Sequence, residues 1–166
     1  MKTKQDKLAS LYEAYYDKIA RYILSHIGDK TEAEDLASEV FMKALQSLKT
    51  YEDRGMPMQA WLFRIAHNLI VDYLRKTKKY KVLPIETMEI IDESDPVDTA
   101  EINIEIGRVK AAMQNLTEDQ REVVRLRFFG GLTSQEVSQI LNKSDGAVRE
   151  MQRASLEKLR QLLAPG

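Results

Sequence analysis

The sequence predicts an all-α chain of two small helical domains joined by an acidic linker. Three observations carry that prediction. Apolar residues recur at helical spacing through both flanks of the 166-residue chain. Capping residues bracket those stretches. Between them, Val82 to Glu105 contains no Lys or Arg, while Glu86, Glu89, Asp92, Glu93, Asp95, Asp98, Glu101 and Glu105 all occur. Pro84, Pro96 and the surrounding Asp/Ser cluster oppose a stable helix through that tract. The expected units are therefore residues 1–81, a linker at 82–105, and residues 106–166. A tether with a role of its own and a merely solvated connector are both open readings of the linker.

Within the first unit, Leu8, Leu11, Tyr12, Tyr15, Ile19, Tyr22 and Ile23 mark a helix that stops near Gly28. Thr31 and Glu34 have capping-box spacing and predict the start of the next helix, which presents Leu36, Val40, Phe41, Ala44, Leu45 and Leu48. A loop from Thr50 to Met56 leads to Pro57, a favoured first-turn residue. The following helix is expected from about Met58 to Lys79, with a division near its start left open. Its projection puts Leu62, Ile65, Ala66, Leu69, Ile70 and Tyr73 on one face. Arg64, His67, Asn68, Val71, Arg75 and Lys78 fall on the other, with Trp61 at the border. A basic, amide-bearing strip beside an aromatic suits a track for single-stranded or melting DNA. It equally suits an ordinary solvated helix face.

The second unit carries a sharper pattern. A helix from roughly Ile106 to Gln114 precedes one opened by Thr117 and closed by Gly130-Gly131. Thr133-Ser134-Gln135-Glu136 is a second capping box, starting a short helix with Val137, Ile140 and Leu141 inward. Asn142-Lys143-Ser144 makes a tight turn, and Ser144 can cap a final helix whose core stripe is Val148, Met151, Leu156, Leu159 and Leu163. A short helix, a three-residue turn and a helix with a polar start form a helix-turn-helix, which places the second helix in the major groove. Arg149, Gln152 and Arg153 are the expected base readers, since Arg pairs with guanine and Gln with adenine, each for roughly 1–3 kcal/mol of discrimination. Thr133 is placed to hold a phosphate beside free backbone N–H groups. The competing reading is a plain helical hairpin with scattered surface charge.

Net charge is −1, which looks wrong for a DNA binder until it is divided along the chain. Residues 1–77 hold 12 basic and 11 acidic side chains, residues 78–106 hold 3 and 8, and residues 107–166 hold 10 and 7. The acidity sits in the middle and both flanks are neutral to basic. With no cysteine, a disulfide framework, a thiolate metal site and a cysteine nucleophile are excluded. His26 and His67 lie on different helices without metal-ligand spacing, and neither a phosphate loop nor a serine elbow occurs. His26 is expected at a helix end and His67 on the surface near DNA. No catalytic residue, metal or cofactor is expected. No apolar run approaches the ~20 residues of a membrane span, and the start lacks a signal peptide's apolar core. A cytoplasmic protein without membrane insertion is expected.

At Glu34-Asp35-Leu36 through Glu39-Val40-Phe41, Ala60-Trp61-Leu62-Phe63-Arg64-Ile65-Ala66-His67-Asn68-Leu69 and Asp72-Tyr73-Leu74-Arg75, the chain resembles region 2 of bacterial sigma-70 family factors. Leu116 to Leu163, with Gln120-Arg121-Glu122-Val123 and Gly146-Ala147-Val148-Arg149, resembles their region 4. Two such regions with a short linker are similar to the extracytoplasmic-function (ECF) group. The resemblance implies a transcription-initiation subunit that acts with core RNA polymerase and is not itself an enzyme. It implies core binding through Asp35, Ser38, Glu39 and Phe41. It implies capture of a melted −10 element by Tyr51, Arg54, Trp61, Arg64, His67, Asn68 and Arg75, and reading of a duplex −35 element by Thr133, Ser144, Arg149, Gln152 and Arg153. The linker would thread towards the RNA exit path. An anti-sigma factor is the further partner implied, and with no C-terminal extension past the last helix, an appended inhibitory segment is not expected. Thr117 stands where the family often has proline and Ser38 where it often has glutamine. Glu150, Met151 and Ala154 replace basic or polar types, so a relative's promoter cannot be transferred. The alternative is a free-standing regulator that grips an operator without polymerase, usually as a dimer.

Overall fold

The computed structural model describes residues 3–52, 55–77 and 107–164. Helix α1 (Lys4–Ile27) opens on a capping box between Thr3 and Asp6 and ends at Gly28, whose left-handed φ of 76° lets its N–H reach the Leu24 carbonyl. Helix α2 (Lys30–Gln46) begins earlier than Thr31 and Glu34 suggested, because the Asp29 side chain caps it by accepting from the Glu32 N–H. Asp is at least as good a cap as Thr, and it is the first oxygen-bearing side chain after the glycine. A single 3-10 turn (Leu48–Thr50) precedes the loop to Pro57. Helix α3 (Met58–Lys76) runs without division; Pro57 is its cap rather than its first residue. Lys78, Lys79 and the linker at 82–105 lie outside the described residues.

These three helices pack on Ile19, Tyr22, Ile23, Ala37, Val40, Ala44, Leu62, Phe63 and Ala66, all fully buried. Leu45, expected inward, is 53% exposed, because Val40 and Ala44 already fill the register facing α1 and α3.

In the second unit, residues 107–113 are helical (α4), followed by α5 (Glu118–Val124) behind a Thr117–Gln120 capping box. The helix then widens into a π turn (Arg125–Phe129), whose Arg125 carbonyl accepts from the Gly130 N–H. Such widened turns concentrate at functional sites. Gly130 must be glycine for a local reason: a Cβ there would sit 2.7 Å from the Leu126 carbonyl oxygen and 2.9 Å from the Phe63 ring. Helix α6 (Ser134–Leu141) and helix α7 (Asp145–Leu163) carry the expected caps, Thr133 with Glu136 and Ser144 with the Ala147 N–H. Asn142 supplies the left-handed residue of the turn, with φ 55°. The core stripe of α7 differs from expectation. Ser155 is fully buried and Leu156 is 40% exposed, since residue 155 lies seven positions from Val148 and 156 lies about 100° further round. The Ser155 hydroxyl is satisfied by the Met151 carbonyl at 2.6 Å.

The two units do not stand apart. Val123, Leu126, Leu132, Val137, Ile140 and Val148 join the same apolar core as α1, α2 and α3. Met113, Leu116 and Val124, with Leu159, make a smaller cluster of their own.

Candidate nucleic-acid interface

The start of α7 is fixed from two sides. Ser144 caps it, and the Asp145 carboxylate accepts from the Ser134 hydroxyl at 2.8 Å, tying the first turns of α6 and α7 together. Val148, fully buried, anchors the inward face. Arg149, Glu150 and Arg153 are consequently exposed. Arg149 pairs with Asp145 at 2.8 Å, and Arg153 with Glu150 at 2.5 Å. Exposed pairs of this kind add little to stability, so both guanidiniums are readily released to a base or phosphate.

Gln152 and Thr133 are placed differently from their assigned roles. Gln152 is half-buried, and its side-chain oxygen accepts from Arg127 Nε at 2.8 Å. Arg127 also donates to the Leu132 carbonyl, so Gln152 braces the π turn against α7. At Thr133, the N–H donates to Glu136 at 2.9 Å and the hydroxyl accepts from the Glu136 N–H at 3.1 Å. That box consumes two donors a phosphate would have used.

On the first unit, Tyr51 is buried; its hydroxyl donates to the Met56 carbonyl at 2.9 Å and its ring lies 4.8 Å from that of Trp61. The far side of the loop is thus pinned to α3. Arg54 lies outside the described residues. A cleft of about 180 Å³ opens beside Trp61, lined by Lys43, Ser47, Ile65, Asn68, Leu69 and Asp72. Asn68 and Arg75 are exposed, and Arg75 meets Asp72. A cation, an amide and a half-buried indole around one cleft suit an unstacked base.

Arg64 and His67, from the same helix, face the second unit instead. Arg64 Nη2 donates to the Gln139 carbonyl at 2.9 Å, and the Gln139 amide donates to the Gly55 carbonyl. His67 belongs to a buried polar cluster centred on Glu122. Tyr22 donates its hydroxyl hydrogen to Glu122 Oε1, which leaves His67 Nδ1 as the donor towards the two oxygens, at 3.2 and 3.5 Å. His26 Nε2 lies 2.6 Å from Glu122 Oε2, and Arg125 Nη1 at 3.7 Å.

Burial alone would push the Glu122 carboxyl up, but His26, His67 and Tyr22 outweigh it and hold the group well below the ordinary carboxylate range. Burial lowers His26 from its ordinary value despite Glu122, so near neutral pH a neutral imidazole faces the carboxylate, close to it but without the alignment of a hydrogen bond. Burial and Glu122 raise Tyr22, which stays a phenol. His26 stands in the last turn of α1, as expected, and there meets the second unit, whereas His67, expected on the surface near DNA, is half-buried against the same carboxylate. Glu122 was missed as a contact, although it sits four residues before inward-facing Leu126 and so shares that helix face.

The third surface is on α2. Asp35, Ser38 and Glu39 are exposed along one side, and Met42 and Leu45 extend it at 56% and 53% exposure. Tyr12 of α1 lies alongside, 49% exposed. Phe41 is only 8% exposed, its ring centroid 4.9 Å from that of Tyr12, so it supports this face from beneath. Among the described residues no group of His, Asp or Glu is arranged to hold a metal, and no helix is long and apolar enough to cross a membrane.

Residues 11–80 match the family described as Sigma-70 region 2, and residues 112–161 match Sigma-70, region 4. The chain is 34% identical over 162 residues to the ECF RNA polymerase sigma factor BldN of Streptomyces coelicolor, covering 95% of this chain and 61% of that protein's length. It is 31% identical to SigX of Bacillus subtilis, covering 90% and 80%. It is 37% identical to ShbA of Streptomyces griseus, covering 78% and 70%. Among solved structures, RpoE in complex with the anti-sigma factor NepR from Bartonella quintana shares the fold at TM-score 0.72 and 20% identity, covering 95% and 96%. CnrH in complex with the cytosolic domain of CnrY does so at TM-score 0.69 and 24% identity, covering 96% and 88%. Two regions in this order, on a helical chain whose second unit exposes Arg149 and Arg153 from a capped helix-turn-helix, place it plainly: the chain belongs to the ECF RNA polymerase sigma factors of the sigma-70 family.

Proposed function

We propose that this chain is a promoter-specificity subunit which binds core RNA polymerase and directs it to promoters through two DNA contacts. The observation that carries the reading is the division of labour among its surfaces. The exposed acidic and apolar side of α2 (Asp35, Ser38, Glu39, Met42, Leu45) suits a protein partner, since a carboxylate beside open methylenes has no use against DNA. The Arg149 and Arg153 face of α7 suits the duplex −35 element. Trp61, Asn68 and Arg75, with the loop held by Tyr51, suit the melted −10 strand. Chemistry belongs to the polymerase, and this chain contributes recognition in the cytoplasm.

A free-standing regulator would have no need of the α2 face, and family membership favours the polymerase subunit. An anti-sigma factor covering the same surfaces is the antagonist the family implies. Purified chain mixed with core polymerase should elute as a stable complex on size exclusion. Tight binding to duplex DNA by the chain alone, with no polymerase complex, would overturn the reading.

A further inference from the structure

We propose that Lys4 is a positioning residue for the −10 contact: it ties the strand-capturing loop to α1 and so sets where Trp61 stands beside the base cleft. This role rests on the proposed promoter reading, because it concerns how that loop is held.

Lys4 is the first residue of α1, where a cation works against the positive end of the helix dipole. Helix stability therefore gives no reason for a lysine at this position. Its ammonium reaches out of the helix instead, donating to the Tyr51 carbonyl at 2.7 Å and to the Lys49 carbonyl at 3.4 Å. Both acceptors lie 45 or more positions away in sequence, at the end of the 3-10 turn where the loop begins. Among the described residues the ammonium meets these carbonyls and no carboxylate. Hydrogen bonds from a charged donor are stronger than neutral ones, so the tie is more than a passing surface contact.

Tyr51 passes that tie on in two directions. Its hydroxyl donates to the Met56 carbonyl at 2.9 Å, across the loop, and its ring lies 4.8 Å from that of Trp61. Trp61 in turn lines the cleft that holds Asn68. Packing alone does not fix Tyr51, because it also lines a second cavity, of about 280 Å³, shared with Lys7, Ser10 and Leu11 of α1 and Met58 of α3. A ring beside open space lacks contacts on that side to resist a shift. The Lys4 bonds hold the backbone of the very residue whose ring would move. Lys4 does not line the Trp61 cleft, so it acts through Tyr51 and not by touching the captured base.

Trp61 is the chain's single tryptophan, so its fluorescence reports this geometry directly. Lys4→Met keeps an aliphatic stem and removes both hydrogen bonds. It should shift Trp61 emission to the red and increase its quenching by acrylamide, with circular dichroism unchanged, and Lys4→Arg should restore the native signal. The full chain reconstituted with core polymerase, on promoters randomised across both elements, reads the consequence. Lys4→Met should reduce base discrimination within the −10 element by about threefold to tenfold, while −35 preference and polymerase affinity hold and Lys4→Arg rescues. Unaltered Trp61 emission and quenching in Lys4→Met would overturn the tie. A Trp61 shift with native −10 discrimination would overturn the positioning role. So would a loss spread evenly over all −10 sequences with the salt slope reduced by about 1, which is the mark of a phosphate contact. A Trp61 shift in Lys4→Met, with no −10 preference by the native chain and polymerase, would sink the promoter reading and leave the tie standing.

Discussion

Replacing Arg149 by alanine separates base reading from folding. The Arg149 side chain is 67% exposed and, among the described residues, pairs with Asp145, at 2.8 Å and four residues earlier on the helix. A surface pair of that kind contributes about 0.3–0.5 kcal/mol, and alanine is itself a good helix former. The melting temperature should therefore barely move. If the guanidinium makes two hydrogen bonds to a guanine, its removal costs roughly 1–3 kcal/mol of discrimination, about a 5- to 150-fold loss at tenfold per 1.4 kcal/mol. The assay is sequencing of promoters captured by reconstituted polymerase from a library randomised across the −35 element. Preference should collapse at one or two adjacent positions and persist elsewhere, with polymerase binding intact. An unchanged preference at every −35 position would refute the placement of Arg149 against bases.

Other consequences follow from the remaining surfaces. Asp35→Ala should weaken core polymerase binding by about 2- to 10-fold, measured by fluorescence anisotropy, with −35 DNA binding unaltered; equal affinity would remove Asp35 from the interface. Gly130→Ala should lower stability by about 1–3 kcal/mol in thermal unfolding, because the added methyl meets both the Leu126 carbonyl and the Phe63 ring. An unaltered melting curve would mean that the π turn yields without cost. The packing of the two units should also weaken on acidification. His26 faces Glu122 of α5, Arg125 of the π turn, His67 of α3 and Tyr22 of its own helix, and burial lowers its pKa in the folded chain. The unfolded chain gains a proton near the ordinary value of 6.5 while the folded chain resists it, so folded-state stability falls as pH drops through that value. The Glu122 contribution, its carboxyl being depressed, is retained there and lost only below the ordinary carboxylate range. The melting temperature should thus fall between about pH 7.5 and pH 5.5, and His26→Gln should flatten that dependence.

Local order was largely legible in the sequence because caps and apolar spacing are local chemistry. The Thr117, Thr133 and Ser144 caps stand where their side-chain oxygens implied. Errors arose where two nearby residues could serve one purpose: Asp29 caps α2 ahead of Thr31, and Ser155 takes the inward position that a hydrophobicity pattern gives to Leu156. The exposure of Leu45 has the same origin, since periodicity ranks apolar residues and says nothing about which ones a partner covers. Glu122 was hidden for a different reason. Its partners Tyr22, His26 and His67 lie 55 or more positions away in sequence, and only packing between the units brings them to one carboxylate. The same packing turned Arg64 and His67 from an open strip into an occupied seam. Gln152 looked like a base reader until Arg127, from a π turn that no sequence pattern indicated, took its oxygen.

The central claim is that this chain supplies a two-point promoter address to a polymerase that lacks one. Run-off transcription by core polymerase, with and without the chain, on promoters whose −10 and −35 elements are altered separately and together, tests it most directly. Initiation should require the chain and fall when either element is altered, with −35 changes sensed through Arg149 and Arg153 and −10 changes through Asn68 and its neighbours. Transcription that is indifferent to the chain, alongside tight duplex binding by the chain alone, would contradict the account.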